Sequence, residues 1–200
     1  RTGDSKQSQT PYFRPQVVPF MPEGPELELV LQIANYHHRM GGPRRALILG
    51  ESNSVRELQS NRQGRAMFVC GALLVMGLYH VAFYVIRGRD TLTLLFGLFS
   101  LSMCLRALYT SELLVFMVVP GISWQAAMRT DYINLSLSIP IIMHFLGLLY
   151  PREMNRRLIQ FAYVYGAGNG LWTLLTEPRT YLWTNQAYYI FTLCMCVNIP

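Results

Sequence analysis

Met67 to Ile86 is a run of twenty residues without one formal charge, bounded by Arg65 and Arg87. At about 1.5 Å of rise per residue, a helix of that length crosses the roughly 30 Å hydrocarbon core of a bilayer. Water is absent there, so every backbone donor and acceptor must be satisfied within the segment, and an isolated apolar run can do this only as a helix. This run therefore predicts a membrane-crossing helix, and the rest of the chain has to be compatible with it. Further runs follow the same pattern at 92–108, 132–150 and 158–175, and another opens at 187–200, where the chain ends. Arg106 lies near the end of the second run, where a long arginine side chain can snorkel to the membrane edge. Leu113 to Val119 is apolar but too short to cross, and is expected at the interface or over the bundle.

Composition agrees. Charged residues make up 14% of the chain, against roughly 25% in soluble domains. The deficit is uneven, because residues 1–65 are polar and charged throughout whereas 66–200 contain long stretches with almost no charge. The net charge of +6 comes almost entirely from arginine, Lys6 being the only lysine. These arginines flank apolar runs. No zinc-finger spacing, RNA-binding aromatic signature or basic helix accompanies them, so a nucleic-acid partner is not expected. Cys70, Cys104, Cys194 and Cys196 all lie in apolar stretches, which predicts buried, unreactive thiols rather than a disulfide framework. The chain begins at Arg1 rather than Met and ends within an apolar run. It reads as an excerpt of a larger protein.

Five prolines between Thr10 and Pro25 exclude helix there. In Glu26–Asn35, Leu27, Leu29, Leu31 and Ile33 alternate with neighbours in the period-two pattern of a half-buried strand. Gly41-Gly42-Pro43 predicts a turn, and Ala46–Leu49 a second short strand ended by Gly50. Residues 1–50 are thus expected to be the last strands of a β-domain, 51–66 a polar helix or linker, and 67–200 a helix bundle. The fold class is mostly α, a multi-pass bundle preceded by β structure. The short loops at Arg87–Asp90 and Pro151–Arg157 carry the arginines, so the positive-inside rule puts them in the cytoplasm. The loops at 109–131 and 176–186, and the N-terminal segment, then face outward.

Few residues suggest chemistry. Gly121-Ile122-Ser123-Trp124-Gln125 begins like a nucleophile turn but lacks the final glycine that the turn requires, and reads as a loop with an interfacial Trp124. His37-His38 with Glu26 and Glu28 are weak metal candidates, since adjacent strand residues point to opposite faces. His80 and His144 lie within spans, where each either serves a function or hydrogen-bonds a neighbouring helix. Arg106, Glu112, Arg129 and Asp131 gather near one membrane edge, either fastening helices or lining a ligand vestibule. Ala162, Gly166 and Gly170 form a small-residue ladder on which helices approach closely, with Asn169 placed to bond across it. No catalytic residue, cofactor or metal site is assigned. The lipid bilayer is the expected partner, and a homodimer is compatible with the pattern.

Several stretches together carry a family resemblance. They are Leu31–Gly42 with Leu47–Gly50, Phe68–Tyr84 with Gly71 and Met76–His80, Arg87–Leu92, Leu105–Leu108, Trp124, and Arg129–Tyr132. In order and spacing they resemble the bacterial seven-transmembrane receptors with diverse intracellular signalling modules. That resemblance implies seven spans and an extracellular jelly-roll domain binding a small, carbohydrate-like ligand. It also implies a location in the bacterial inner membrane and an output domain beyond Pro200, a histidine kinase, a cyclase or a phosphatase. The rival expectation is a transporter or channel, with His80, Asn134, His144 and Asn169 along a path. A membrane enzyme ranks last, for want of a nucleophile–base or metal constellation.

Overall fold

The computed structural model describes residues 16–22, 24, 26–31, 46–88 and 90–197. Helix α1 runs from Ser52 to Ile86, α2 from Thr91 to Thr110, α3 from Val115 to Val118, α4 from Trp124 to Leu149, α5 from Arg156 to Leu175 and α6 from Pro178 to Val197. The long helices alternate in direction. The start of α1, the end of α2, the start of α4, the end of α5 and the start of α6 share one end of the bundle, here called the first end. Helix α4 is the hub, packing against α2, α5 and α6, while α1 packs against α2.

Polar side chains are buried among apolar ones inside the bundle, and many large apolar side chains face outward. Ser136, Ser138, Thr173 and Asn185 are fully buried, whereas Phe68 is 77% and Val164 72% exposed. In water that arrangement would be costly. In lipid it is the expected one, because apolar side chains lose nothing by facing acyl chains and buried polar groups can bond one another. Helices α1, α2 and α4 are long and apolar enough to cross a membrane. Five crossing runs were expected. Helices α5 and α6 have twenty residues each and thus the length, but polar residues such as Asn169, Thr173 and Asn185 dilute their apolar character.

Helix α1 has no break between its polar and apolar parts. Its 35 residues extend about 52 Å, well beyond the hydrocarbon thickness, so residues 52–66 continue the same rod outside it. Where α1 meets α2, Gly77 and Gly97 face each other. A Cβ on Gly77 would lie 2.6 Å from the Leu101 side chain and 3.1 Å from the Gly97 carbonyl, so this close approach requires glycine. Asp90 starts α2, its carboxylate accepting the Leu92 and Thr93 amides at 3.2 and 3.3 Å.

Two boundaries differ from the sequence-based expectation. Helix α4 begins at Trp124 and α6 at Pro178, eight and nine residues before the predicted apolar runs. Both carry start signals that outweigh their polarity. The Ser123 hydroxyl accepts the Ala126 amide at 3.2 Å as an N-cap, and Pro178 occupies the first helical position, where its missing donor costs nothing. Trp124 is therefore not in an interfacial loop. It opens α4 and is buried. The apolar stretch before it caps the bundle: Leu114 packs with Ala66, Cys70 and Cys104, while Leu113, Val115 and Phe116 pack with Tyr109 and Ala127. Leu113 adopts a φ of 54° to make the reversal.

Among the described residues there is no strand. Residues 26–31, the described part of the strand expected at 26–35, and 46–49, expected as a second strand, are irregular and exposed. A strand exists through its ladder, and an apolar pattern supplies no partner. The expected turn at 41–43 and residues 32–35 lie outside the described residues.

Candidate functional site

The bundle interior holds a chain of polar contacts centred on α4. Asn134 and Ser102 pair reciprocally between α4 and α2, the Ser102 hydroxyl donating to Asn134 Oδ1 at 3.0 Å and Asn134 Nδ2 to the Ser102 carbonyl at 2.9 Å. Two residues on, Asn169 Nδ2 of α5 donates to Ser136 Oγ at 2.7 Å and to Asn185 Oδ1 of α6 at 2.9 Å. Asn185 Nδ2 in turn donates to the Tyr181 carbonyl at 2.8 Å. One asparagine on each of α4, α5 and α6 thus fixes how the helices sit.

Pro140 explains the last member of this chain. It lies inside α4 and has no N–H, so the Ser136 carbonyl loses its helical donor. Tyr188 of α6 supplies the replacement, its hydroxyl donating to the Ser136 carbonyl at 2.8 Å. Gly166 of α5 lies against the same oxygen, where an added Cβ would come within 2.5 Å. Three helices therefore meet at a single carbonyl. Tyr188 is held there by stacking on Tyr165, ring centres 5.5 Å apart, within a cluster that includes Phe161 and Phe191.

Toward the first end the contacts become charged. Arg106 of α2 and Asp131 of α4 form a salt bridge at 2.8 Å, their side chains 25% and 9% exposed. Arg129 donates from Nη2 to the Thr176 carbonyl at 3.3 Å, tying α4 to the α5–α6 connection. Tyr132 and Tyr181 pack ring to ring at 5.5 Å beside these groups. Glu112 sits elsewhere, in a groove with Arg62 and Arg65 of α1.

The structure therefore divides the residues singled out by sequence. Arg106 and Asp131 meet, Arg129 makes a separate contact, and Glu112 belongs to another surface. His80 donates from Nδ1 to the Met76 carbonyl of its own helix at 2.8 Å and packs on Phe96. His144 is 3.0 Å from the Tyr163 hydroxyl of α5. Among the described residues no three His, Cys, Asp or Glu side chains converge on a point that could hold a metal, and His37 and His38 lie outside those residues. Cys70 and Cys104 are buried and unbridged, Cys104 Sγ donating to the Cys70 carbonyl at 3.3 Å. Ser123 is the cap of α4 rather than part of a nucleophile turn.

Sequence reasoning missed Ser102, Ser136, Pro140, Tyr188 and Asn185 as a connected set. Pro140 was the available signal, since a proline within a span frees the carbonyl four residues earlier. Asn185 was hidden because 176–186 read as a loop, although Pro178 marks a helix start.

No curated protein and no solved structure matches the chain. The family model described as 7TM diverse intracellular signalling matches residues 63–199, well over half of the chain. That match begins within α1 just before the uncharged run and ends with α6, so it covers the whole bundle. The chain belongs to the 7TM diverse intracellular signalling family of integral membrane proteins.

Proposed function

We propose that this chain is the membrane-relay region of a sensor, passing a signal from an outer ligand-binding segment through its helices to an output domain. The observation that carries the reading is the unbroken α1, Ser52–Ile86, which joins the polar segment to the bundle as one rod. Force or rotation applied at residue 52 is transmitted along a continuous helix, and the Gly77–Gly97 contact passes it to α2. Family membership points the same way. A ligand shifts such a system only by binding one of two packings better, and the single-carbonyl junction at Ser136 offers a compact place for two packings to differ.

In this reading the N-terminal segment lies outside, and the loops at 87–90 and 151–157 lie in the cytoplasm of a bacterial cell whose inner membrane holds α1, α2, α4, α5 and α6. The residues before 52 belong to a jelly-roll-like domain for a small, carbohydrate-like ligand. The output domain is a histidine kinase, cyclase or phosphatase, and two copies associate. The transporter reading gains no support from its four polar residues. His80, Asn134, His144 and Asn169 each hydrogen-bond protein partners.

The test has two arms. Alkaline phosphatase fused after Gly88 or Asn155 is expected to be inactive, and after Gly121 active; the opposite pattern overturns the orientation. Hydrogen exchange of the protein in nanodiscs is expected to show residues 55–66 protected continuously with the rest of α1. Fast exchange there would remove the rod and the relay built on it.

A further inference from the structure

We propose that the groove between α1 and the α2–α3 turn binds the headgroup of a zwitterionic phospholipid carrying a primary amine, of the phosphatidylethanolamine type. The groove is open to the surroundings, holds about 560 Å³ and is lined by Arg62, Arg65, Ala66, Val69, Ser111 and Glu112. Its position is set by the sequence. Arg65 is the last charge before the twenty uncharged residues of α1, and Ser111 directly follows α2. The groove therefore sits where the hydrocarbon core gives way to headgroups, the level at which lipid phosphates lie.

Its chemistry is two-sided. Arg62 and Arg65 are three apart on one helix and so project from neighbouring positions. Arg65 spends its Nε on the Asn61 carbonyl at 3.3 Å, which orients the guanidinium and leaves its terminal nitrogens as donors for a phosphate. The Ser111 hydroxyl adds a polar group. Glu112 argues against a purely anionic occupant, because a carboxylate beside the phosphate would repel it. It suits a headgroup in which an ammonium follows the phosphate. Glu112 is half-buried, and the two oxygens of its carboxylate can accept more than one donor. Ala66 and Val69 supply an apolar wall on the membrane side, along which the glycerol and first acyl carbons fit. A free phosphate would use the arginines and leave both the wall and the carboxylate unused.

The site stands on membrane insertion alone and is independent of the sensor reading. Native mass spectrometry of the intact protein, reconstituted with equal amounts of dioleoyl-phosphatidylethanolamine and dioleoyl-phosphatidylcholine, tests it. Wild type is expected to retain the ethanolamine lipid in preference to the choline lipid, whose quaternary amine cannot donate to Glu112. Arg62→Gln with Arg65→Gln is expected to lose retention of both, because the charged donors to the phosphate are removed. Glu112→Gln should keep total retention and abolish the preference. Arg152→Gln, at the opposite end of the bundle, should behave as wild type. Circular dichroism identifies any variant that has lost helix, and Glu112→Gln then decides alone. An unchanged lipid pattern in the double or the Glu112 variant overturns the proposal. So do an equal loss with Arg152→Gln and displacement of the lipid by inorganic phosphate.

Discussion

Among the described glycines, Gly166 is the one whose added Cβ would come closest to backbone, and the constraint can be tested within one helix. A Cβ at Gly166 would sit 2.5 Å from the Ser136 carbonyl oxygen and 3.3 Å from Pro140 Cγ. Real Cβ contacts essentially never fall below 3.0 Å, so Gly166→Ala must separate α4 and α5 by at least 3.0 minus 2.5, or 0.5 Å. The obstacle is backbone, which cannot swing aside as a side-chain tip can. The same oxygen accepts the Tyr188 hydroxyl at 2.8 Å, so a shift strains that bond too. Overpacking of this kind costs about 1–3 kcal/mol, or roughly 5- to 150-fold in the folding equilibrium. Gly168, two residues away, has nothing within 4 Å of its Cβ position, and at Gly170 the nearest atom is Ser136 Cβ at 3.9 Å, an ordinary contact. Alanine at 168 and 170 is therefore expected to be neutral or slightly stabilising. The assay is reversible unfolding of each variant in mild detergent, followed by tryptophan fluorescence and helical circular dichroism. If Gly166→Ala is as stable as Gly168→Ala, the close approach of α5 to the Ser136 carbonyl is wrong.

Three other outcomes follow from the same geometry. Tyr188→Phe leaves the Ser136 carbonyl without a donor and should destabilise by about 1–3 kcal/mol; in a Pro140→Ala background the helix regains its own donor, so the same change should cost clearly less, and additive costs would refute the replacement role of Tyr188. Asp131→Asn and Arg106→Gln should each destabilise by up to about 3 kcal/mol, with the double variant below their sum in a double-mutant cycle; additivity within about 0.5 kcal/mol would show that the pair does not interact. Asp90 is held below its usual carboxylate pKa of 3.8, chiefly by the Thr93 hydroxyl and further by the Leu92 and Thr93 amides. Because the folded value is the lower one, its capping contribution is complete above the usual carboxylate value and fades as pH falls through the lowered value. Amide exchange at Leu92 and Thr93 should accelerate across that acidic window in wild type but not in Asp90→Asn, and equal acid sensitivity in both would remove Asp90 as the cause.

Much of this protein was legible one residue at a time. Met67–Ile86 has to be a helix because an uncharged run in lipid has no other way to satisfy its backbone, and that requirement involves no neighbour. The small-residue ladder at Ala162, Gly166 and Gly170 marks a packing face for the same reason, since side-chain size is local. The strands expected at 26–35 and 46–49 are not seen among the described residues, since a strand depends on a partner that alternation does not specify. The early starts of α4 and α6 were hidden because their first turns are polar, and a hydropathy run reports what is apolar rather than what is helical. The pairings were beyond the sequence altogether. Arg106 and Asp131 are 25 residues apart and Tyr188 and Ser136 52 apart. Nothing local tells Asp131 from Glu112 as the partner of Arg106, or names the side chain that replaces the donor missing at Pro140. The order of apolar runs determined that helices cross a membrane. Only their packing, which brings one carbonyl of α4 against α5 and α6 together, decided which polar groups meet inside it.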